Sequence, residues 1–292
     1  MKKSNGILIK TGFLLFLMSV VLLFPMKAKA ATYQEVPTMA YLEVEGGQAY
    51  ISYANSAPQL FYEAANGETV RLTQKICTGA WTDRQIFYYT SGNQRVPTKV
   101  SLYKYTIKTG KTEKLCTLNK KCNLVGYSKN SLYLHTTGTG KQYLYTYNLK
   151  TKKINSKRID YPVYNKKDSV SVGSMFNGRY ILVNDLYTGY NAFVQRYYES
   201  PSSIYILDLK TQKFNLVSKM ITILSTKETN QLYYAKFSGT ASKPYSQIWK
   251  YNVKTGKSLI VSKKYEGVIY SFYNDVAHII DSKGNSRTIK YK

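Results

Sequence analysis

Alternation of polar and apolar positions dominates the chain and recurs with a long period. The run Leu102-Tyr103-Lys104-Tyr105-Thr106-Ile107 leads into Lys108-Thr109-Gly110-Lys111 and a second short alternating run ending at Leu115. The pattern returns at 144–153, 204–213 and 248–257, and a worn copy opens the series at 60–68. Successive strand residues face opposite ways, so Tyr103, Tyr105 and Ile107 share one side and Leu102, Lys104 and Thr106 the other. The first side repeats as aromatic, aromatic, aliphatic: Tyr145, Tyr147, Leu149, then Trp249, Tyr251, Val253. Such a face suits contact with a neighbouring sheet, with tyrosine hydroxyls at the wet edge. The turn requires positive φ, which Gly67, Gly110 and Gly256 supply; Lys152 and Gln212 stand there in the other copies, at about 1 kcal/mol each.

Backward from each copy, a second alternating strand is predicted at 49–54, 86–91, 132–137, 180–185 and 232–237, entered through a tight polar turn from a shorter strand. Each unit reads as four strands. Five such units run from about residue 39 to 264, and a sixth comprises 268–273, 276–281 and 286–291. A period of about 40–45 residues with several strands per unit points to a β-propeller. The sixth unit is one strand short, while residues 32–36 are surplus at the other end. The expected fold is therefore all-β: a β-propeller of six four-stranded blades, closed by pairing of the N-terminal strand with 286–291. Five blades with an appendage, or an unclosed repeat stack, is the alternative.

The pattern across 86–115, Ile-Phe-Tyr-Tyr-Thr followed by Leu-Tyr-Lys-Tyr-Thr-Ile-Lys-Thr-Gly-Lys, resembles the repeats of TolB-like and low-density-lipoprotein-receptor-like six-bladed propellers. Trp81-Thr82-Asp83 is similar to part of the Tyr-Trp-Thr-Asp tetrapeptide of the latter, with Ala80 in place of its tyrosine and a single occurrence. The resemblance implies the propeller fold and a habit of binding peptides, proteins or glycans. It carries over no catalytic residue.

Residues 1–30 read as a signal peptide. Lys2, Lys3 and Lys10 precede the apolar run 13–24, and Ala28-Lys29-Ala30 forms a small-x-small site with cleavage expected after Ala30. The segment resembles Gram-positive secretory peptides, and an uncleaved anchor is the alternative. The expected product, 31–292, is a single domain, secreted into the medium or wall space, and a monomer. Removing five lysines lowers the net charge from +26 to about +21. Outside the cell nucleic acid is not the expected partner. Teichoic acids, acidic polysaccharides and anionic lipid surfaces fit the charge, although lysines also serve solubility alone. Cys77, Cys116 and Cys122 allow at most one internal disulfide, with buried thiols the other reading. They form no Cys-x-x-Cys pair, and neither a metal nor a cofactor is expected.

No nucleophile elbow, zincin motif or phosphate-cradling glycine loop is present. His135 and His278 fall on predicted strands as packing residues. Glu43 and Glu45 share a strand face beside a turn, as a solvated pair would. Asp160, Asp168, Asp185 and Glu199 border the longest connections without a diagnostic spacing. Loop lengths are more informative. In a four-stranded blade the first-to-second and third-to-fourth turns emerge on one side, and the remaining connections on the other. The first group is uniformly short and carries a lysine rim: Lys108, Lys111, Lys150, Lys152, Lys153, Lys210, Lys213, Lys254 and Lys257. The second group holds the long segments 92–100, 138–142, 160–170, 186–202 and 238–246. The fourth unit is the largest, with 60 residues from Thr151 to Thr211 against 42 from Thr109 to Thr151. Its excess carries Tyr161, Tyr164, Lys166, Lys167, Tyr187, Tyr190, Phe193, Arg196, Tyr197 and Tyr198. Rigid aromatic area with basic neighbours suits a protein, a peptide or an anionic glycan. The expected function is a non-enzymatic binding or scaffold propeller at the cell surface. A propeller lyase or hydrolase acting on wall or extracellular polysaccharide is the alternative.

Overall fold

The computed structural model describes residues 33–54, 57–73, 75–93, 97–138, 140–160, 169–186, 203–219, 221–228, 230–240, 242–273 and 275–291. Tyr33–Lys292 forms one compact unit. Its first strand is β1 (Gln34–Glu35), and six antiparallel sheets follow among the described residues. The first sheet is β2 (Leu42–Val44), β3 (Gly47–Ala54), β4 (Ala57–Ala64) and β5 (Thr69–Arg71). The second is β6 (Ile76–Thr82), β7 (Ile86–Gly92), β8 (Val100–Thr106) and β9 (Lys111–Leu118). The third is β10 (Cys122–Ser128), β11 (Ser131–Thr136), β12 (Gln142–Asn148) and β13 (Ile154–Ile159). The fourth is β14 (Ser169–Phe176), β15 (Tyr180–Leu186), β16 (Ser203–Asp208) and β17 (Lys213–Lys219). The fifth is β18 (Ile221–Glu228), β19 (Gln231–Gly239), β20 (Pro244–Asn252) and β21 (Lys257–Ile260), with the short β22 (Tyr265–Glu266) also on β20. The sixth has three strands, β23 (Val268–Tyr273), β24 (Val276–Ile280) and β25 (Ser286–Lys290). Each sheet is a meander of sequence neighbours, the topology of propeller blades.

The repeating aromatic faces do what their alternation predicts. Ala49, Ile51, Leu60 and Tyr62 of the first sheet pack with Phe87, Tyr89 and Tyr105 of the second. Further apolar clusters join the second, third and fourth sheets, the fourth to the fifth, and the fifth to the sixth. Among the described residues, none of these clusters joins the sixth sheet to the first. Successive first strands meet closely at bulges. A Cβ on Gly79 would lie 2.3 Å from the Leu124 carbonyl oxygen, so this junction of the second and third sheets requires glycine. Thr78 Oγ1 reinforces it by donating to the Cys122 carbonyl at 2.7 Å.

The N-terminal strand corrects the expected closure. β1 pairs with β6, through Gln34↔Thr82 and Glu35↔Trp81, not with the strand at 286–290, whose partner among the described residues is β24. The reason lies in two unpaired inner edges. β6 would otherwise expose its backbone groups, and β2 covers β3 only at Gly47–Ala49. The segment after β1 crosses from one edge to the other. Val36 N–H donates to Ala80 O at 2.9 Å, Ile51 N–H to Pro37 O at 3.0 Å and Met39 N–H to Ile51 O at 2.8 Å. Val36 is buried between the two sheets, and the Tyr33 ring lies 3.9 Å from that of Tyr127. Edge strands seek partners, and these two edges lie nearer in sequence than the last strand.

Cys77, Cys116 and Cys122 are free thiols. Burial pushes the Cys77 and Cys122 thiols up to about 12, which leaves them inert.

Candidate functional site

The lysine rim is built by one turn design. In the third sheet the Asn148 Oδ1 accepts the Lys150 and Thr151 N–H groups, both at 2.9 Å. Asn252 does the same for Lys254 and Thr255 in the fifth, and Asp208 for Lys210 in the fourth. Side-chain capture of this kind mimics a backbone turn bond, and it acts beside the backbone bonds Gln212 N–H to Asp208 O and Gly256 N–H to Asn252 O. The second sheet uses a short 3-10 turn, Ile107–Thr109, instead. Each turn then closes on a left-handed residue: Gly110 (φ 61), Lys152 (φ 55), Gln212 (φ 57) or Gly256 (φ 68). All nine rim lysines are exposed. Lys152 Nζ lies 3.7 Å from Glu113 Oε1, and the other eight form no ion pair with a described residue. The hairpins thus occupy equivalent places in four sheets.

Tyr161, Tyr164, Lys166, Lys167, Tyr187, Tyr190, Phe193, Arg196, Tyr197 and Tyr198 lie outside the described residues. The 92–100 connection borders a groove of about 580 Å³ between the first and second sheets. It exists because the first sheet's outer strand is short. β5 pairs only Thr69, Val70 and Arg71 with Glu63, Tyr62 and Phe61. Past that point side chains take over from the ladder: Leu72 N–H donates to Leu60 O at 2.9 Å, Thr73 Oγ1 accepts Leu60 N–H at 2.9 Å and Gln59 Nε2 donates to Lys75 O at 3.3 Å. β9 opposite continues for eight residues to Leu118. β8 and β9 present Ser101, Tyr103, Thr112, Lys114 and Thr117 to the groove.

Arg71, Leu72 and Lys75 form one wall. The other is the face of the second sheet, where Tyr103 stands opposite Lys114 and Ser101 opposite Thr117. Tyr89 lies beneath, its ring stacked on Tyr103 with centroids 5.4 Å apart. Burial pushes the Tyr89 phenol up to about 12, against a bond to the Thr112 side chain, so it stays protonated. The end of the groove is shaped by Gly92, Asn93 and Lys99. Asn93 N–H donates to Lys99 O and Lys99 N–H to the Asn93 Oδ1, both at 3.3 Å, and a Cβ at Gly92 would meet Pro97 at 2.6 Å, so only glycine lets the loop fold back here. Arg71, Lys75, Lys99 and Lys114 are exposed and make no ion pair with a described residue. No carboxylate is among the described residues lining the groove. The arrangement provides positive potential, neutral hydroxyls and one partly open aromatic ring, which is chemistry for binding an anion.

The sequence reading did not single out these four cations, which come from separate segments. The legible signals were the long 92–100 connection and the short run between Arg71 and Ile76.

Residues with catalytic potential are dispersed. His135 is buried, its Nδ1–H donating to Thr136 O and its Nε2 without a partner among the described residues. Burial holds this imidazole down at about 4. His278 is half-buried against the Tyr270 ring. Glu43 and Glu45 are exposed, and Asp160 pairs with Arg158 at 2.8 Å. Asp168, Glu199 and the Asp185 side chain lie outside the described residues. Glu35 projects from the innermost strand, where desolvation raises its carboxyl pKa and a bond to Ser174 opposes the shift. Among the described residues no cluster of three His, Cys, Asp or Glu side chains could hold a metal ion.

No family model and no curated protein matches this chain. Solved structures do. The chain is similar to TolB from Acinetobacter baumannii, at 13% identity and a TM-score of 0.43, covering 81% of this chain and 56% of that one. It is also similar to oligogalacturonate lyase from Vibrio parahaemolyticus, at 10% identity and a TM-score of 0.48, covering 85% and 75%. A third is the β-propeller domain of the Trilobed protease from Pyrococcus furiosus, at 11% identity and a TM-score of 0.37, covering 85% and 91%. At these identities the sheets and clusters described above, not the matches, carry the account of this chain.

Proposed function

We propose that the chain is an exported, non-enzymatic binding propeller that holds an anionic partner at the cell surface. In this reading the six sheets are six blades, and recognition occurs on the side of the long connections. The observation that carries it is the groove between the first two sheets, with four unpaired cations and no carboxylate among its described lining. Uncompensated charge lining a concave surface focuses potential and attracts polyanions. The charged, apolar and Ala-x-Ala segments in succession support export with cleavage after Ala30. The tyrosine-rich segments 160–170 and 186–202 are, by their composition, a second proposed recognition element.

Purified residues 31–292 passed over an immobilised acidic polymer of the Gram-positive wall test the reading. Retention should weaken as ionic strength rises to physiological values. The double variant Lys75→Glu, Lys99→Glu should lose retention without a change in melting temperature. Retention equal to that of the unaltered chain would overturn the assignment. New reducing ends in the eluted polymer would replace it with the lyase or hydrolase reading.

A further inference from the structure

We infer that the groove between the first and second sheets is a binding site for a carboxylated sugar chain, an inference that rests on the anion-binding reading above. Three features select this chemistry. The charges are distributed, with Arg71 and Lys75 on one wall, Lys99 at the loop end and Lys114 on the outer strand opposite. A single compact anion would be served by cations converging on one point, whereas spaced cations match charges repeated along a chain.

Between the cations the lining is neutral and hydroxyl-rich. Ser101 and Thr117 share a hydrogen bond at 3.0 Å across β8 and β9, which leaves the pair one free O–H donor and open lone pairs on both oxygens. Sugar hydroxyls require both roles, while fully ionised phosphate oxygens only accept. The third feature is Tyr103. Its ring is half-buried, stacked on Tyr89 and part of the groove lining near Leu72. An aromatic ring with a polar tip suits the C–H face of a pyranose. An extended acidic peptide is less well matched, because Leu72 is the only aliphatic residue among the described residues lining the groove.

Calorimetric titration of residues 31–292 with a uronic-acid hexasaccharide tests the inference, alongside its carboxyl-reduced counterpart, polyphosphate and an oligoglutamate peptide of matched charge. The hexasaccharide should bind, and the carboxyl-reduced form should not. Lys99→Glu should weaken hexasaccharide binding about tenfold or more, the loss of one charge-assisted contact. Tyr103→Ala should weaken the hexasaccharide but leave any polyphosphate binding unchanged. Should Tyr103→Ala perturb folding, Thr117→Val, on the exposed strand, supplies the same contrast by removing a hydroxyl. Polyphosphate or oligoglutamate binding as tightly as the hexasaccharide, with the same Lys99→Glu effect, would overturn the sugar assignment and leave the anion site standing. Binding of none of the three, or binding untouched by Lys99→Glu, would overturn both.

Discussion

His135 gives the fold a pH dependence that can be worked out in advance. The side chain is 1% exposed in β11, and its Nε2 has no partner among the described residues. Protonation would place a charge in that environment, which is why the imidazole is held at about 4 against an ordinary 6.5. The folded-state pKa is depressed, so between these values the unfolded chain binds the extra proton. Stability is then complete above about pH 6.5 and falls as pH drops towards 4. The full shift corresponds to about 3 kcal/mol, of which about 2.5 kcal/mol is lost between pH 7.5 and 4.5. Glu35 has a raised pKa and works in the opposite direction, while Asp208 acts only at lower pH. Comparison with a His135→Asn variant isolates the histidine. Urea unfolding at both pH values should show the original chain losing about 2.5 kcal/mol more than the variant. An equal loss in both proteins, or an NMR titration placing His135 near 6.5, would refute the argument.

Three further expectations follow from the geometry. Asp208 is held down at about 2 by the paired Arg179 guanidinium, with contacts at 2.7 and 2.6 Å, so Asp208→Asn should cost about 1–2 kcal/mol at pH 7 after screening is allowed for. Asparagine keeps the turn contact, and because a depressed carboxylate loses its contribution as pH falls through its folded pKa, the difference should vanish near pH 2 in denaturant titrations. Lys152→Gly and Gln212→Gly, at left-handed positions, should each stabilise the chain by about 1 kcal/mol, read as an upward shift in melting temperature; no shift would mean that these turns carry no strain. Deleting residues 31–37 strips the inner edges of β6 and β3 and the buried Val36, and should cost on the order of 3 kcal/mol in unfolding free energy; an unchanged melting transition would contradict the pairing with β6.

The parts of this fold that could be read from sequence are those set by neighbours in the chain. Period-two alternation locates the strands, and the left-handed conformations of Lys152 and Gln212 followed from the glycines at equivalent places in sister turns. The destination of the N-terminal strand could not be read in this way. Two paired residues, Gln34 and Glu35, carry almost no register information, and the choice depended on which distant edge lay open. The groove escaped for a related reason. It is the consequence of a three-residue β5 opposing an eight-residue β9, a mismatch between two sheets that leaves no mark within either. Its cations are ordinary surface residues one at a time, and only the packing of the first two sheets brings Arg71 and Lys75 opposite Lys114. The tyrosine-rich segments at 161–168 and 187–202 lie outside the described residues, and their part in recognition rests on their composition.

An anionic partner held in the groove, and not merely attracted to a lysine-rich surface, would leave a localised hydrogen-exchange footprint. Residues 31–292 would be compared with and without a saturating acidic polysaccharide at physiological ionic strength. Slower exchange is expected in the 71–75, 91–101 and 112–117 segments, with the hairpins around Lys108, Lys150, Lys210 and Lys254 little changed. Protection confined to those hairpins, or spread evenly over all basic surfaces, would contradict it.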